Sequence, residues 1–108
     1  MKKIERAQLK QMNEEQHEDF VLINVLPREA FNDRHIRTSI NIPVESNDFA
    51  DRVEAVAGGK NRKIVVYCAN HDCDASPKAA RTLEDAGFGR VYDYAGGTED
   101  WFARKEAA

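Results

Sequence analysis

The chain of 108 residues has no apolar run that approaches membrane-spanning length, and its first residues turn polar at once. A membrane-spanning helix needs about 20 mostly apolar residues, so none is expected, and no signal peptide is visible. An excess of basic residues is also lacking, because the formal net charge is -3 and the pI is near 5.6. This balance argues against a surface for nucleic acids or anionic membranes.

Cysteine is scarce as well, with two residues in the chain. Without an export signal, two cysteines favour a reducing cytoplasm and thiols that are free to react. There is no internal repeat, low-complexity tract or linker, so we expect a single domain over residues 1–108. Its 42% hydrophobic and 32% charged residues are typical of a soluble globular protein with its own core.

Strand patterns and helix patterns alternate along the chain. The strand patterns lie at 20–26, 39–43, 64–67 and 88–94, with a short stretch around Lys3 and Ile4. Helical patterns lie around 7–12, from Pro27, at 49–56, from Pro77 to Gly87 and from Gly97 or Thr98. Strands that alternate with helices predict an α/β fold, with three layers and a mostly parallel central sheet of about five strands flanked by helices. The predicted core includes Val21, Ile23, Val25, Ile64, Val65, Val66 and Leu83.

One stretch carries the chemistry: a buried strand pattern that ends on Cys68, a polar loop, and then a helix. Ser76 is the expected N-cap of that helix and Pro77 its first residue, since proline there loses no needed donor. Cys68 should then lie at the carboxyl end of a parallel strand, where open α/β sheets bind ligands. Loop amides and the positive helix end favour an anion there, which predicts a reactive thiol. The alternative is a small buried residue that ends a strand.

Three motifs, in order, resemble the rhodanese-like family. They are residues 25–31 followed by His35-Ile36 and residues 40–43, then residues 64–68, and finally Gly96-Gly97 with Trp101. The resemblance implies a rhodanese α/β domain over nearly the whole chain. It also implies that Cys68 is catalytic and carries sulfane sulfur as a persulfide, from a donor such as thiosulfate to a thiophilic acceptor.

The active-site loop that this resemblance implies follows Cys68 directly. Its residues are Ala69, Asn70, His71, Asp72, Cys73, Asp74, Ala75 and Ser76. A persulfide carries negative charge on its outer sulfur, which the loop N–H groups would stabilise, and transfer proceeds as two displacements at sulfur. The expected partners are a small sulfur donor and a thiol or protein acceptor, with no nucleic acid, no membrane and no cofactor. We expect a monomer or a weak homodimer.

This loop departs from the family's usual Cys-x-x-Gly-x-Arg pattern. It is two residues longer, Ala75 stands where the family has arginine, and Asp72 and Asp74 add negative charge. The family's early strand also usually ends in Asp, where this chain has Asn24. Like charge repels the thiosulfate dianion and raises the pKa of a thiol, so thiosulfate is expected to be a poor donor.

Cys73 follows Cys68 by five residues in the same loop. A curled loop would bring the two within the separation of about 7 Å between Cα atoms that a disulfide needs. Cys73 would then resolve a persulfide or sulfenic acid on Cys68, and the alternative is a loop residue of no consequence. With His71 the two cysteines supply at most three metal ligands, so no metal is expected.

Three functions therefore compete at the level of sequence. The leading one is a sulfurtransferase that acts through Cys68. The second is a thiol redox or sulfur-relay module that uses a Cys68–Cys73 pair. The third is a non-catalytic binding module.

Two other polar residues have simpler interpretations. Asn24 interrupts an apolar run, and its expected role is to hydrogen-bond a neighbouring loop at the strand end, because buried amides must be satisfied. His17 lies in an acidic run over residues 14–19, and we expect a surface residue there rather than a metal ligand.

Overall fold

A computed structural model describes residues 1–15 and 19–103, so His17 lies outside the described residues. The strands in this part are β1 (Lys2–Lys3), β2 (Phe20–Asn24), β3 (Ile40–Asn41), β4 (Lys63–Tyr67) and β5 (Val91–Tyr94). The helices are α1 (Arg6–Lys10), continued by a π-helical turn (Gln11–Glu15), then α2 (Arg28–Asp33), α3 (Phe49–Ala57), α4 (Ala75–Asp85) and α5 (Gly97–Phe102). None of the helices described is both long and apolar enough to cross a membrane.

The strands form one parallel sheet in the order β1-β5-β4-β2-β3. β4 is central, and its Val66 lies opposite Ile23 of β2 and Asp93 of β5. Parallel neighbours need long crossovers, and the helices between the strands supply them. The predicted α/β fold, with a parallel sheet of about five strands flanked by helices, is confirmed.

The sheet has an apolar core on each face. Successive strand residues point to opposite faces, so Ile64 and Val66 join one core while Val65 and Tyr67 join the other. Side chains of α3 and α4 close the first core, and α1 packs over the second through Leu9. The seven predicted core residues are all buried: Val21, Ile23, Val25, Ile64, Val65, Val66 and Leu83.

Helix α4 begins earlier than the sequence predicted. Asp74 is its N-cap and Ala75 its first residue, and the Lys78 N–H already donates to the Asp74 carbonyl at 3.1 Å. The prediction of Ser76 as N-cap and Pro77 as first residue is therefore wrong. Pro77 is tolerated because it still lies in the first turn, where backbone N–H groups have no partner within the helix. The predicted end is confirmed, since α4 stops at Asp85 and is followed by a glycine with positive φ.

Two buried polar side chains fix loops at the carboxyl edge of the sheet. The Asn24 Oδ1 atom accepts a hydrogen bond from the Leu26 N–H at 3.0 Å, which confirms the role predicted for Asn24. The Tyr67 hydroxyl accepts a hydrogen bond from the Ile36 N–H at 3.0 Å and shares another with the Ser39 hydroxyl at 2.7 Å. These bonds hold the segment before β3 against the central strand.

Candidate active site

Cys68 directly follows β4, at the carboxyl edge of the sheet, as the sequence predicted. Its side chain joins the core under α4 and is fully buried. The Cys68 carbonyl accepts a hydrogen bond from the Thr98 N–H at 3.0 Å, and the Ala69 carbonyl accepts one from the Glu99 N–H at 2.9 Å. The first turn of α5 therefore fixes the backbone that carries the thiol.

Gly97 makes this close approach possible. Its φ angle is 66°, a backbone conformation that residues with a side chain rarely adopt. A Cβ at this position would stand 2.4 Å from the Cys68 carbonyl oxygen. Both facts exclude a side chain at this position. The second glycine of the Gly-Gly motif is thus explained by packing of α5 against the cysteine backbone.

Asn70 organises the loop between β4 and α4. Its Oδ1 atom accepts a hydrogen bond from the Asp72 N–H at 3.0 Å, and its carbonyl accepts one from the Cys73 N–H at 3.1 Å. Its Nδ2 atom donates to Glu99 Oε2 at 3.2 Å, which ties the loop to α5. The backbone N–H groups of Asp72 and Cys73, which were expected to stabilise a sulfur anion, therefore donate to Asn70 instead.

The Cys68 thiol lies beneath Cys73 and Ser76. It donates to the Cys73 carbonyl at 3.7 Å, and both cysteines are free thiols. Burial, and then contact with the Cys73 thiol, raise the pKa of Cys68 to about 11, while the hydroxyl and N–H of Ser76 act in the opposite direction. At neutral pH the protonated thiol therefore dominates in this closed arrangement.

Asp93 is a buried carboxyl that the sequence analysis missed. Its place in β5, opposite Val66, puts its side chain on the same sheet face as Val66 and Cys68. The residue has 0% exposure, and neither carboxyl oxygen has a hydrogen-bond partner in the described part of the chain. The only signal in the sequence was an acidic residue inside an otherwise apolar strand pattern.

Ser76 is close to both Cys68 and Asp93. Its buried hydroxyl makes no well-formed hydrogen bond within residues 1–15 and 19–103, yet it is near enough to favour the charged form of both groups. Burial raises the pKa of Asp93, while Ser76 and the charges of Lys3 and His71 oppose that shift. The site therefore combines a thiol, a hydroxyl and a carboxyl in one buried space.

The other loop residues predicted for the site are closer to solvent. His71, Asp72 and Asp74 are exposed, and Ala75 is half-buried at the start of α4. Water therefore screens the two loop carboxylates. Across the described ranges, no group of three His, Cys, Asp or Glu side chains is arranged to hold a metal ion.

A cleft of about 670 Å³ adjoins the loop on the side of α1. His71 lines one wall, and residues 4–8 line another, with Tyr94 and Asp100 between them. The Tyr94 hydroxyl donates to Asp100 Oδ2 at 2.5 Å, and burial together with this bond raises the pKa of Tyr94. Cys68 does not line this cleft.

A central parallel strand that ends in a cysteine loop, followed by a helix over the thiol, defines an α/β domain built around one cysteine. The family model of the rhodanese-like domain matches residues 5–104. The chain therefore belongs to the rhodanese-like family, as the three motifs predicted.

Solved structures and one curated relative extend this comparison. The rhodanese-like domain of the Anabaena sp. Alr3790 protein is 30% identical, with a TM-score of 0.80, over 94% of this chain and 73% of that one. The human single-domain sulfurtransferase TSTD1 has a TM-score of 0.79 over 98% of this chain and 99% of that one, and its 17% identity shows the fold alone. The HTH-type transcriptional regulator Rv0324 of Mycobacterium tuberculosis is 38% identical over 69 residues, which are 64% of this chain and 29% of that protein.

Proposed function

We propose that the protein is a sulfurtransferase that carries sulfane sulfur as a persulfide on Cys68. The observation that carries the proposal is the place of this cysteine, at the carboxyl end of the central strand and against the first turn of α4. Membership of the rhodanese-like family supports it, as does the likeness to a human single-domain sulfurtransferase.

The chemistry is two displacements at sulfur. In the first, the Cys68 thiolate attacks the outer sulfur of the donor, a sulfur–sulfur bond to Cys68 forms, and the remainder of the donor leaves as an anion. In the second, an acceptor thiolate attacks the outer sulfur of the persulfide, and the Cys68 thiolate leaves with the bonding pair. Each step forms and breaks one bond to the transferred sulfur, so no further oxidant or reductant is needed.

The loop controls access to the sulfur in this scheme. Cys68 is fully buried beneath Cys73, so a donor reaches it only after the segment from 69 to 74 moves aside. Asn70 provides the bonds that hold this segment closed, including the one to Glu99. Movement of the loop also exposes the thiol to water, which favours its ionised form.

The charge of the loop favours a donor other than thiosulfate. Asp72 and Asp74 bring two carboxylates, and Ala75 stands where the family has arginine, so Lys78 is the one full positive charge between Cys68 and Ala80. A persulfide of a small thiol or of a protein carries less charge at the reacting sulfur than the thiosulfate dianion. We therefore infer that a persulfide is the better donor.

The contact between Cys68 and Cys73 favours a second function, a thiol redox or sulfur-relay module. In this scheme the Cys73 thiolate attacks the inner sulfur of the Cys68 persulfide and displaces hydrosulfide. The product is a Cys68–Cys73 disulfide, which an external thiol then reduces. Transfer to an external acceptor would compete with this intramolecular step.

A single-turnover assay of sulfur transfer distinguishes the two functions from each other and from a purely binding role. The wild type, Cys68→Ser and Cys73→Ser proteins are loaded with a small persulfide, desalted and mixed with an acceptor thiol, and the sulfur on the acceptor is measured. We expect transfer from the wild type and Cys73→Ser proteins and none from Cys68→Ser. Release of hydrosulfide from the wild type alone, before acceptor is added, would favour the relay. Equal transfer by Cys68→Ser, or no transfer by any variant, would overturn the proposal.

A further inference from the structure

Three buried polar groups that form no well-formed hydrogen bond to a side chain of the described residues lie near one another at the carboxyl edge of the sheet. They are the Cys68 thiol, which directly follows β4, the Ser76 hydroxyl in α4 and the Asp93 carboxyl in β5. The register between β4 and β5 turns Asp93 toward the same face as Cys68, and Ser76 is 1% exposed beneath the first turn of α4. Most buried polar side chains find partners, so this grouping needs an explanation.

A hydroxyl has one proton to donate. Ser76 is near enough to both Cys68 and Asp93 to stabilise a negative charge on either one, but it donates to only one of them at a time. When Asp93 is ionised, its buried oxygens compete with the sulfur for that proton. When Asp93 is protonated, its own O–H is a donor, and the Ser76 proton is free for the sulfur.

Burial decides which form Asp93 favours. A carboxylate that is removed from water and accepts no hydrogen bond is costly, so its neutral form is favoured. The groups that face it are Lys3 from the neighbouring strand β1, His71 from the loop and Ser76 from α4. Lys3 and His71 are exposed, which limits how much their charge offsets the burial of the carboxyl.

We propose that Asp93 is a positioning residue that acts in its protonated form, donating to the Ser76 hydroxyl, which in turn donates to the sulfur anion on Cys68. This chain of two hydrogen bonds takes the place of the cation that the loop lacks. This proposal rests on the proposed function where the sulfur anion is the persulfide of Cys68. The same hydrogen bonds would also stabilise the bare Cys68 thiolate. The proposal is therefore testable without any sulfur transfer.

The test is the pH dependence of Cys68 alkylation in a Cys73→Ser background, where the rate of modification by iodoacetamide is followed by intact mass. Asp93→Asn keeps a hydrogen-bond donor at position 93 and removes the carboxylate charge. Ser76→Ala removes the hydroxyl that links position 93 to the sulfur. Asp85→Asn, at the exposed end of α4, is the matched control for loss of one carboxylate.

We expect the ratio of the Asp93→Asn rate to the parent rate to be near one in acid, where Asp93 is protonated. The ratio should rise to about tenfold as Asp93 ionises, which corresponds to one pKa unit at the thiol. Ser76→Ala should slow alkylation of Cys68 at every pH. In the Ser76→Ala background, Asp93→Asn should raise the alkylation rate by less than it does when Ser76 is present. The ratio for Asp85→Asn should stay near one throughout.

A ratio for Asp93→Asn that stays flat with pH would overturn the proposal, because Asp93 would then not act on the thiol. A ratio well below one at high pH would also overturn it, since ionised Asp93 would then be acting as a base. Carbon-13 NMR of the Asp93 carboxyl gives a second check, which fails if this group titrates at or below the ordinary range for Asp. If the alkylation ratios are as expected but the protein transfers no sulfur, the hydrogen-bond chain from Asp93 through Ser76 is supported and the proposed function is contradicted.

Discussion

Alanine at position 97 should destabilise the protein through the backbone that carries Cys68. The new Cβ would stand 2.4 Å from the Cys68 carbonyl oxygen and 2.6 Å from the Ala69 carbonyl carbon. Both carbonyls are fixed by hydrogen bonds from the Thr98 and Glu99 N–H groups, so neither moves freely. The change therefore forces α5 away from the end of the central strand.

The magnitude has two parts. The left-handed conformation costs a residue with a Cβ about 1–2 kcal/mol, and forced overlap in a packed region costs about 1–3 kcal/mol. We therefore expect Gly97→Ala to lower the free energy of unfolding by about 2–5 kcal/mol, a large share of the stability of a typical domain.

Urea denaturation followed by circular dichroism measures this loss, and the chain offers two matched controls. Gly58 has a φ of 79° but nothing within 4 Å of its Cβ position, so Gly58→Ala reports the conformational cost alone. Gly89 has neither constraint, and Gly89→Ala should change stability by no more than about 0.5 kcal/mol. If Gly97→Ala were no more destabilising than Gly58→Ala, the close contact between α5 and Cys68 would be refuted.

Buried polar side chains and the charges of the loop give further predictions. Asp93→Asn should raise the free energy of unfolding at neutral pH by about 1–3 kcal/mol, because burial disfavours the charge of a carboxyl whose oxygens have no hydrogen-bond partner among the described residues. The raised pKa of Asp93 favours its proton in the folded state, so this gain should shrink as the pH falls through that raised pKa. It should vanish only below the ordinary Asp pKa of 3.8, where the unfolded carboxyl is protonated as well, and urea midpoints from acid to neutral pH will check this. Tyr67→Phe should cost about 1–3 kcal/mol in the same assay, since a buried backbone N–H loses its acceptor. Asp72→Asn with Asp74→Asn, or Ala75→Arg, should lower the apparent Michaelis constant for thiosulfate by up to about tenfold, because charges in water interact by about 1 kcal/mol at contact. This gain should shrink at high salt, and an unchanged constant at low salt would show that neither carboxylate acts on the donor.

Much of the fold was predictable because strands buried on both faces give dense apolar signals. Residues 20–26 contain β2 and residues 64–67 cover all but the first residue of β4, and these are the two longest strands described. The glycines after α3 and α4 marked where those helices end. The position of Cys68 followed from the strand that precedes it. Local patterns were sufficient for all of these features.

The start of α4 was not predictable from capping preferences. Ser76 and Pro77 suit an N-cap and a first helical position, but the chain gains more by extending the helix back to Ala75 and burying Ser76 against the sheet. Part of the extra length of the loop is thereby absorbed into the helix. Tertiary packing overrides the local preference here.

Asp93 escaped prediction for a different reason. Its side chain meets Ser76 only because the register between β4 and β5 and the packing of α4 bring them to one face, and no spacing along the chain encodes that meeting. The engagement of loop amides by Asn70 had a local signal. An Asn two residues before an exposed loop N–H is typical of an Asx turn, which is the bond seen to Asp72.

Intact mass spectrometry shows directly whether Cys68 carries sulfur as a persulfide. The wild type, Cys73→Ser and Cys68→Ser proteins are treated with a small persulfide and weighed before and after reductant. We expect that wild type and Cys73→Ser each gain the mass of one sulfur atom, which reductant removes, and that Cys68→Ser gains none. A reductant-sensitive sulfur on Cys68→Ser, or none on Cys73→Ser, would contradict the proposed function.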